Sequence, residues 1–168
     1  DQFDFLAALI RADGSPTLAV AARSLASAGV PVFPCQVEGK RPLTRRGFLD
    51  ASSDAAQVAA WWSRTPNANI GIPTGGASGV VVVDVDVHGP TDGRVAWKRA
   101  ADAGLVSGAD LLVRTPTGGM HAYFPATPGR EQRSWQAAAA GVDFRGDGGY
   151  IIAPPSQRMI DGNAKHYQ

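Results

Sequence analysis

The stretch Val80-Val81-Val82-Val83-Asp84-Val85-Asp86-Val87-His88 decides the fold of this chain. Its valine run reads as a strand too apolar to be an exposed edge. Side chains alternate faces along a strand, so Asp84, Asp86 and His88 are predicted to share one face, and Val83, Val85 and Val87 the other. Same-face neighbours stand about 7 Å apart along a strand. Two carboxylates so placed repel each other unless positive charge lies between them, and a divalent metal ion answers that need. His88 runs straight into Gly89-Pro90 and reads as a strand-exit residue.

Downstream, the pattern predicts a helix near 92–104 and a hairpin of strands 110–115 and 120–124 joined by Pro116-Thr117-Gly118-Gly119. A short helix is predicted near 131–138, around Trp135, then strand pieces at 141–144 and 149–153, the last stopped by Pro154-Pro155. That order is β-α-β-β-α-β. It implies an α+β fold, an antiparallel sheet with helices on one face, similar to an RNA-recognition-motif module.

Upstream, residues 16–29 read as a helix with Pro16 in its first turn and Gly29 at its end. A short strand over 30–35 leads into the basic loop Gly39-Lys40-Arg41-Pro42-Leu43-Thr44-Arg45-Arg46-Gly47. Asp54 and Gln57 form a capping box that opens a helix with Val58, Trp61 and Trp62 on its apolar face. Asn69 to Pro73 is a strand running into Thr74-Gly75-Gly76. The reading is one domain over 1–168 with two lobes, about 1–78 and 79–168.

Composition narrows the class. Of 168 residues, 44% are hydrophobic and 18% charged, as in a water-soluble globular chain, and no run approaches a membrane span. The net charge of +1 supplies no general polyanion affinity, so nucleic-acid binding must come from a local patch and be weak and salt-sensitive. The single Cys35 makes no intrachain disulfide, which fits a reducing, cytoplasmic setting. The opening Asp1-Gln2-Phe3-Asp4-Phe5 lacks the basic segment of a secretory leader. A start without Met and an end at Lys165-His166-Tyr167-Gln168 are expected of a domain taken from a longer protein.

The predicted topology brings three chemically loaded positions together: Asp84 with Asp86, His121 on the hairpin beside same-face Tyr123, and Asp143. Three carboxylates suit Mg²⁺ or Mn²⁺, hard ions that keep waters and substrate phosphates in their shells. In two-metal phosphoryl transfer such ions sit about 4 Å apart and clamp the attacking and leaving oxygens. Each residue has a plainer reading. Asp84 and Asp86 could pair with arginines, His121 could be a satisfied core histidine, and Asp143 could bridge to Arg145. Gly118-Gly119 is a turn before it is a phosphate cradle. Lys40, Arg41, Arg45 and Arg46 are a solvated face, or a patch for triphosphate or template phosphates.

In combination, these segments make the chain resemble the N-terminal domain of bifunctional DNA primase–polymerases, in the archaeo-eukaryotic primase superfamily. The similarity runs from about residue 17 to the C-terminus. It rests on Gly39-Lys40-Arg41-Pro42-Leu43, Trp61-Trp62, Asn69-Ile70-Gly71-Ile72-Pro73-Thr74-Gly75 and Val82-Val83-Asp84-Val85-Asp86. It continues through Thr115 to Phe124, Val142 to Tyr150, Ala153-Pro154-Pro155-Ser156 and Tyr167. The resemblance implies a primase-type core: the β-α-β-β-α-β half packed with a smaller N-terminal αβ half. It also implies three motifs, matched by Asp84 and Asp86, by Gly119-Met120-His121, and by Val142-Asp143. The acids then hold two catalytic metals and His121 contacts the incoming nucleotide. Arg114 and Lys40 follow as further triphosphate contacts. The superfamily often has serine where this chain has Gly119, so contacts there fall to Gly118 and Gly119 backbone or to Thr117. The implied activity is template-directed nucleotidyl transfer, with DNA template and primer and nucleoside triphosphates as partners. In this family the domain commonly precedes a helicase or ATPase module in phage and plasmid replication proteins, and no Walker loop occurs here.

Three other readings compete. A nucleotide-sugar glycosyltransferase would use the acid-x-acid pair but not a third acid after a Gly-Gly-x-His hairpin. A non-catalytic RNA-recognition-like module would place aromatics, not carboxylates, on its central strands. A metal-dependent nuclease is the third.

Overall fold

A computed structural model describes residues 2–168, with side chains from Phe5 onward; Asp1, part of the opening read above for a leader, lies outside them. The elements run α1 (Gln2–Asp13), α2 (Leu18–Ser27), β1 (Phe33–Val37), α3 (Ala55–Arg64), β2 (Ala68–Pro73), β3 (Val80–Val85), β4 (Val87–His88) and β5 (Thr91–Asp92). They continue as α4 (Gly93–Asp102), β6 (Leu111–Arg114), β7 (Met120–Pro125), β8 (Trp135–Ala137), β9 (Val142–Arg145), β10 (Tyr150–Ala153), β11 (Gln157–Ile160) and β12 (Asn163–His166). Turns of 3-10 helix lie at Gly47–Asp50 and Ala138–Ala140. The fold is α+β with antiparallel sheets. No helix among the described residues is long and apolar enough to cross a membrane.

The chain divides into two compact units, one of Asp1–Pro73 with Tyr150–Gln168, the other Thr74–Gly149. The expected boundary near residue 78 therefore misses the C-terminal segment, and the first unit is the larger rather than the smaller. The reason is strand pairing: β10 joins β2 antiparallel in the sheet β1-β2-β10.

In the first unit α1 buries Phe5, Ala8, Leu9 and Ala12, a one-sided helical stripe, and packs on α2. Helix α2 begins two residues later than Pro16 suggested, because the Thr17 hydroxyl caps it by accepting from Val20 N–H. Helix α3 keeps one arm of the expected capping box, Asp54 accepting from Gln57 N–H at 2.7 Å, while the Asp54 N–H donates to Ser52 Oγ at 3.0 Å instead of to Gln57. Trp62 fills the core, and its indole N–H donates to Ala68 O at 3.0 Å. Gly71 is required where it stands, since a Cβ would strike the Phe33 ring. Cys35 is buried and its thiol is pushed up to about 12 by desolvation, which makes it inert as a nucleophile at neutral pH.

The second unit holds the five-stranded sheet β6-β7-β3-β9-β8, antiparallel throughout. Strand β3 lies between β7 and β9. The helix expected at 131–138 is absent. Trp135–Ala137 is instead an edge strand, and Ala138–Ala140 makes one 3-10 turn that Gly141 ends at φ 70°. A run that short, stopped by a left-handed glycine, cannot recover the cost of helix nucleation.

Candidate metal centre

Asp84 stands on the central strand, directly opposite His121 of β7 on one side and Asp143 of β9 on the other. Cross-strand partners share a face, so the three side chains converge on one surface of the sheet. Asp84, His121 and Asp143 are all buried. The His121 Nε2 lies 3.3 Å from Asp84 Oδ1.

Asp86 reaches this group by a different route from the one its spacing predicts. The strand ends at Val85, and Val87–His88 form a separate two-residue pairing with Thr91–Asp92. His88 is exposed there and takes no part in the cluster. Asp86 is fixed by its backbone: its N–H donates to Gly141 O and its carbonyl accepts from Gly93 N–H, both at 2.8 Å. A Cβ on Gly93 would collide with the Gly141 and Asp86 carbonyls. These glycines let the start of α4 and the start of β9 close on Asp86.

The result is a tight acidic group. One ligand atom from each of Asp84, Asp86 and Asp143 lies within 4.8 Å of the others. Three carboxylates against one guanidinium leave a formal charge of −2 when His121 is neutral. Oxygen donors alone, an excess of two negative charges and partial burial fit a hard divalent cation.

Arg145 is the component that the sequence reading left outside the site. Its Nη2 donates to Asp143 Oδ2 at 3.1 Å and lies 3.9 Å from Asp84 Oδ2. The plainer reading of Asp143, an ion pair with Arg145, is therefore present within the acidic group. The signal was available: Arg145 is two residues past Asp143 on the same strand and so on the same face. Tyr123 shares that face as expected, its ring centroid 6.4 Å from that of His121.

The remaining candidates fall elsewhere. Arg114 pairs with Met120, which pairs with Val85, so it belongs to the opposite face from Asp84 and is exposed. A one-residue offset on the hairpin reverses the face, which is why sharing a hairpin with His121 was insufficient. Gly118 takes φ 87° in the turn, and its N–H donates to Thr115 O. Thr117 is exposed at the turn tip. Gly119 is buried, and a Cβ there would strike the Val85 carbonyl, so its first role is to seat the turn against the end of β3. Lys40 belongs to the other unit, exposed, with its carbonyl accepting from Tyr150 Oη at 3.1 Å.

Asp147, three residues past the strand acid, performs a different task. It accepts from Gly76 N–H at 2.9 Å and from Gln132 N–H at 2.7 Å, tying three loops together. Those two backbone bonds hold its carboxyl below the usual carboxylate range.

Residues 22–168 match the family described as bifunctional DNA primase/polymerase, N-terminal. No curated protein matches the chain.

Proposed function

The chain belongs to the bifunctional DNA primase/polymerase N-terminal family, and from that premise we propose that its acidic cluster is the centre of template-directed nucleotidyl transfer. The observation that carries the reading is the convergence of ligand atoms of Asp84, Asp86 and Asp143 within 4.8 Å of one another, with His121 in register with Asp84. The primer or initiating 3′-hydroxyl attacks the α-phosphorus of a nucleoside triphosphate. The hydroxyl gives up its proton to solvent, a new P–O bond forms, the α–β bridging bond breaks, and pyrophosphate leaves.

Each residue has a task in this proposal. Asp84, Asp86 and Asp143 hold the divalent ions, Mg²⁺ or Mn²⁺. Ions bound there supply positive charge to the attacking oxygen and to the leaving group. His121, in register with Asp84, donates to the triphosphate. Arg145 is a positioning residue that orients Asp143 and offsets carboxylate repulsion. Thr117 and the Gly118–Gly119 backbone, at the turn beside the end of β3, serve as outer nucleotide contacts. Little covalent chemistry falls to the protein; placement and charge neutralisation provide most of the acceleration. A sheet face carrying carboxylates repels phosphates without metal, which argues against a purely binding module.

The test is extension of a labelled primer on a DNA template with Mg²⁺ or Mn²⁺, comparing wild type with Asp84→Ala and including a lane without primer. Extension by wild type and none by a folded Asp84→Ala is the expected result. Equal extension by both proteins would refute the assignment.

A further inference from the structure

The first unit contains a cavity of about 840 Å³ between the 43–54 loop and α3, and none of its lining residues comes from the unit that carries the acids. Its volume falls in the range that holds nucleotide-sized ligands. Its walls explain the half of the Trp61-Trp62 pair that the core leaves unused. Adjacent helical residues point about 100° apart, so Trp62 enters the core while Trp61 stays half-buried on the cavity wall. Leu43 and Leu49 line the same space and remain 47% and 66% exposed.

The charges there are uneven. Arg45, Arg46 and Arg64 line the cavity, as do Asp50 and Asp54. Both acids are engaged locally. Asp50 takes the Arg46 side chain at 2.7 Å, and Asp54 caps α3. Arg45 contributes to the field on Asp50, yet neither the Arg45 nor the Arg64 side chain enters a hydrogen bond or close ion pair among the described residues. Two uncommitted guanidiniums therefore flank a half-buried indole and two exposed leucines.

We propose that this cavity is a second nucleic-acid site, which holds a base of an unpaired DNA strand against Trp61 with adjoining phosphates on Arg45 and Arg64. A π-face bordered by cations suits an unpaired strand, because every base offers a face for stacking and the backbone supplies the anions. A duplex hides those faces. The basic loop thereby gains a task separate from the triphosphate. The proposal rests on the nucleotidyl-transfer reading for the strand being DNA, and its test involves no catalysis.

The experiment is fluorescence anisotropy of a labelled single-stranded oligonucleotide, in chelator and without nucleotide, across a salt series. Trp61→Ala is expected to weaken binding about 10-fold, the loss of one stacked base, with Trp61→Phe recovering most of it. Arg45→Gln with Arg64→Gln should lower the slope of log affinity against log salt by about 1.4, two single-strand phosphate contacts. Circular dichroism confirms folding. Unchanged affinity and slope in the folded variants would overturn the site. So would displacement of the strand at equal nucleotide concentration by duplex DNA, by a mononucleotide or by an acidic peptide. If these variants lose strand affinity while wild type extends no primer, the nucleotidyl-transfer reading fails and the strand site stands.

Discussion

Asn69 and Asp84 are both buried polar residues on strands, and the contrast between their surroundings separates scaffold from chemistry. Asn69 sits in the first unit with its amide fully engaged: Nδ2 donates to Gly39 O and Gln157 O at 2.9 and 2.8 Å, and Oδ1 accepts from Gln157 N–H at 3.1 Å. Ser156 beside it accepts from Ile70 N–H at 2.8 Å. Every partner there is neutral, and the group ties the C-terminal hairpin to β2. Asp84 sits in the second unit among two further carboxylates and one guanidinium. The first arrangement is satisfied within the protein, whereas the second is left with surplus negative charge. Both residues fall on sequence that resembles the primase–polymerase family, so resemblance alone does not say which one does chemistry.

Substitutions should separate the two clusters sharply. The largest effect is expected at the acids: Asp86→Asn should reduce primer extension to background while the melting temperature in chelator is not lowered, since neutralising one of three repelling carboxylates relieves strain. A lower melting temperature with activity retained would reverse the assignment. Asn69→Ala should do the opposite. It strands buried backbone groups and should cost about 1–3 kcal/mol of stability, read from urea denaturation, with extension preserved where the protein is folded. Arg145→Gln lies between. Its bond to Asp143 is one-third exposed, so its loss should lower metal-free stability by only about 1 kcal/mol. Removing a competing cation should also tighten Mn²⁺ binding, so the rise in melting temperature on adding Mn²⁺ should exceed that of wild type.

The smallest effect concerns pH. Asp147 is held below its ordinary range by the Gly76 and Gln132 N–H groups. A depressed folded value means that the stabilisation is present above the unfolded value, about 3.9, and is lost as pH falls through the folded one. The carboxylate is solvent-screened, so the effect is modest. Melting curves from pH 6 to pH 3 should show a shallower acid decline in Asp147→Asn than in wild type, and identical declines would exclude this contribution.

Much of the second unit was legible because its determinants are local. The valine run, the alternation into Asp84 and the Gly118-Gly119 turn specify β3, β6, β7 and β9 from neighbours in sequence. The placement of Asp86 was not, since it depends on Gly93 and Gly141 closing from distant segments. Strand β10 was expected at 149–153, but its pairing with β2 escaped for the same reason, that partner being chosen by tertiary packing. Two omissions had local signals. The spacing Phe5, Ala8, Leu9, Ala12 marks α1. Asp161-Gly162, with φ 51° and 76°, is the tight turn that joins β11 to β12.

The most direct measurement is titration of metal-free protein with Mn²⁺, followed by electron paramagnetic resonance of the free ion. Wild type is predicted to bind Mn²⁺, and Asp84→Asn and Asp143→Asn to lose more than the roughly 10–100-fold typical of an outer partner. Equal binding by wild type and both folded variants, or none by wild type, would contradict the account of this acidic cluster as a metal centre.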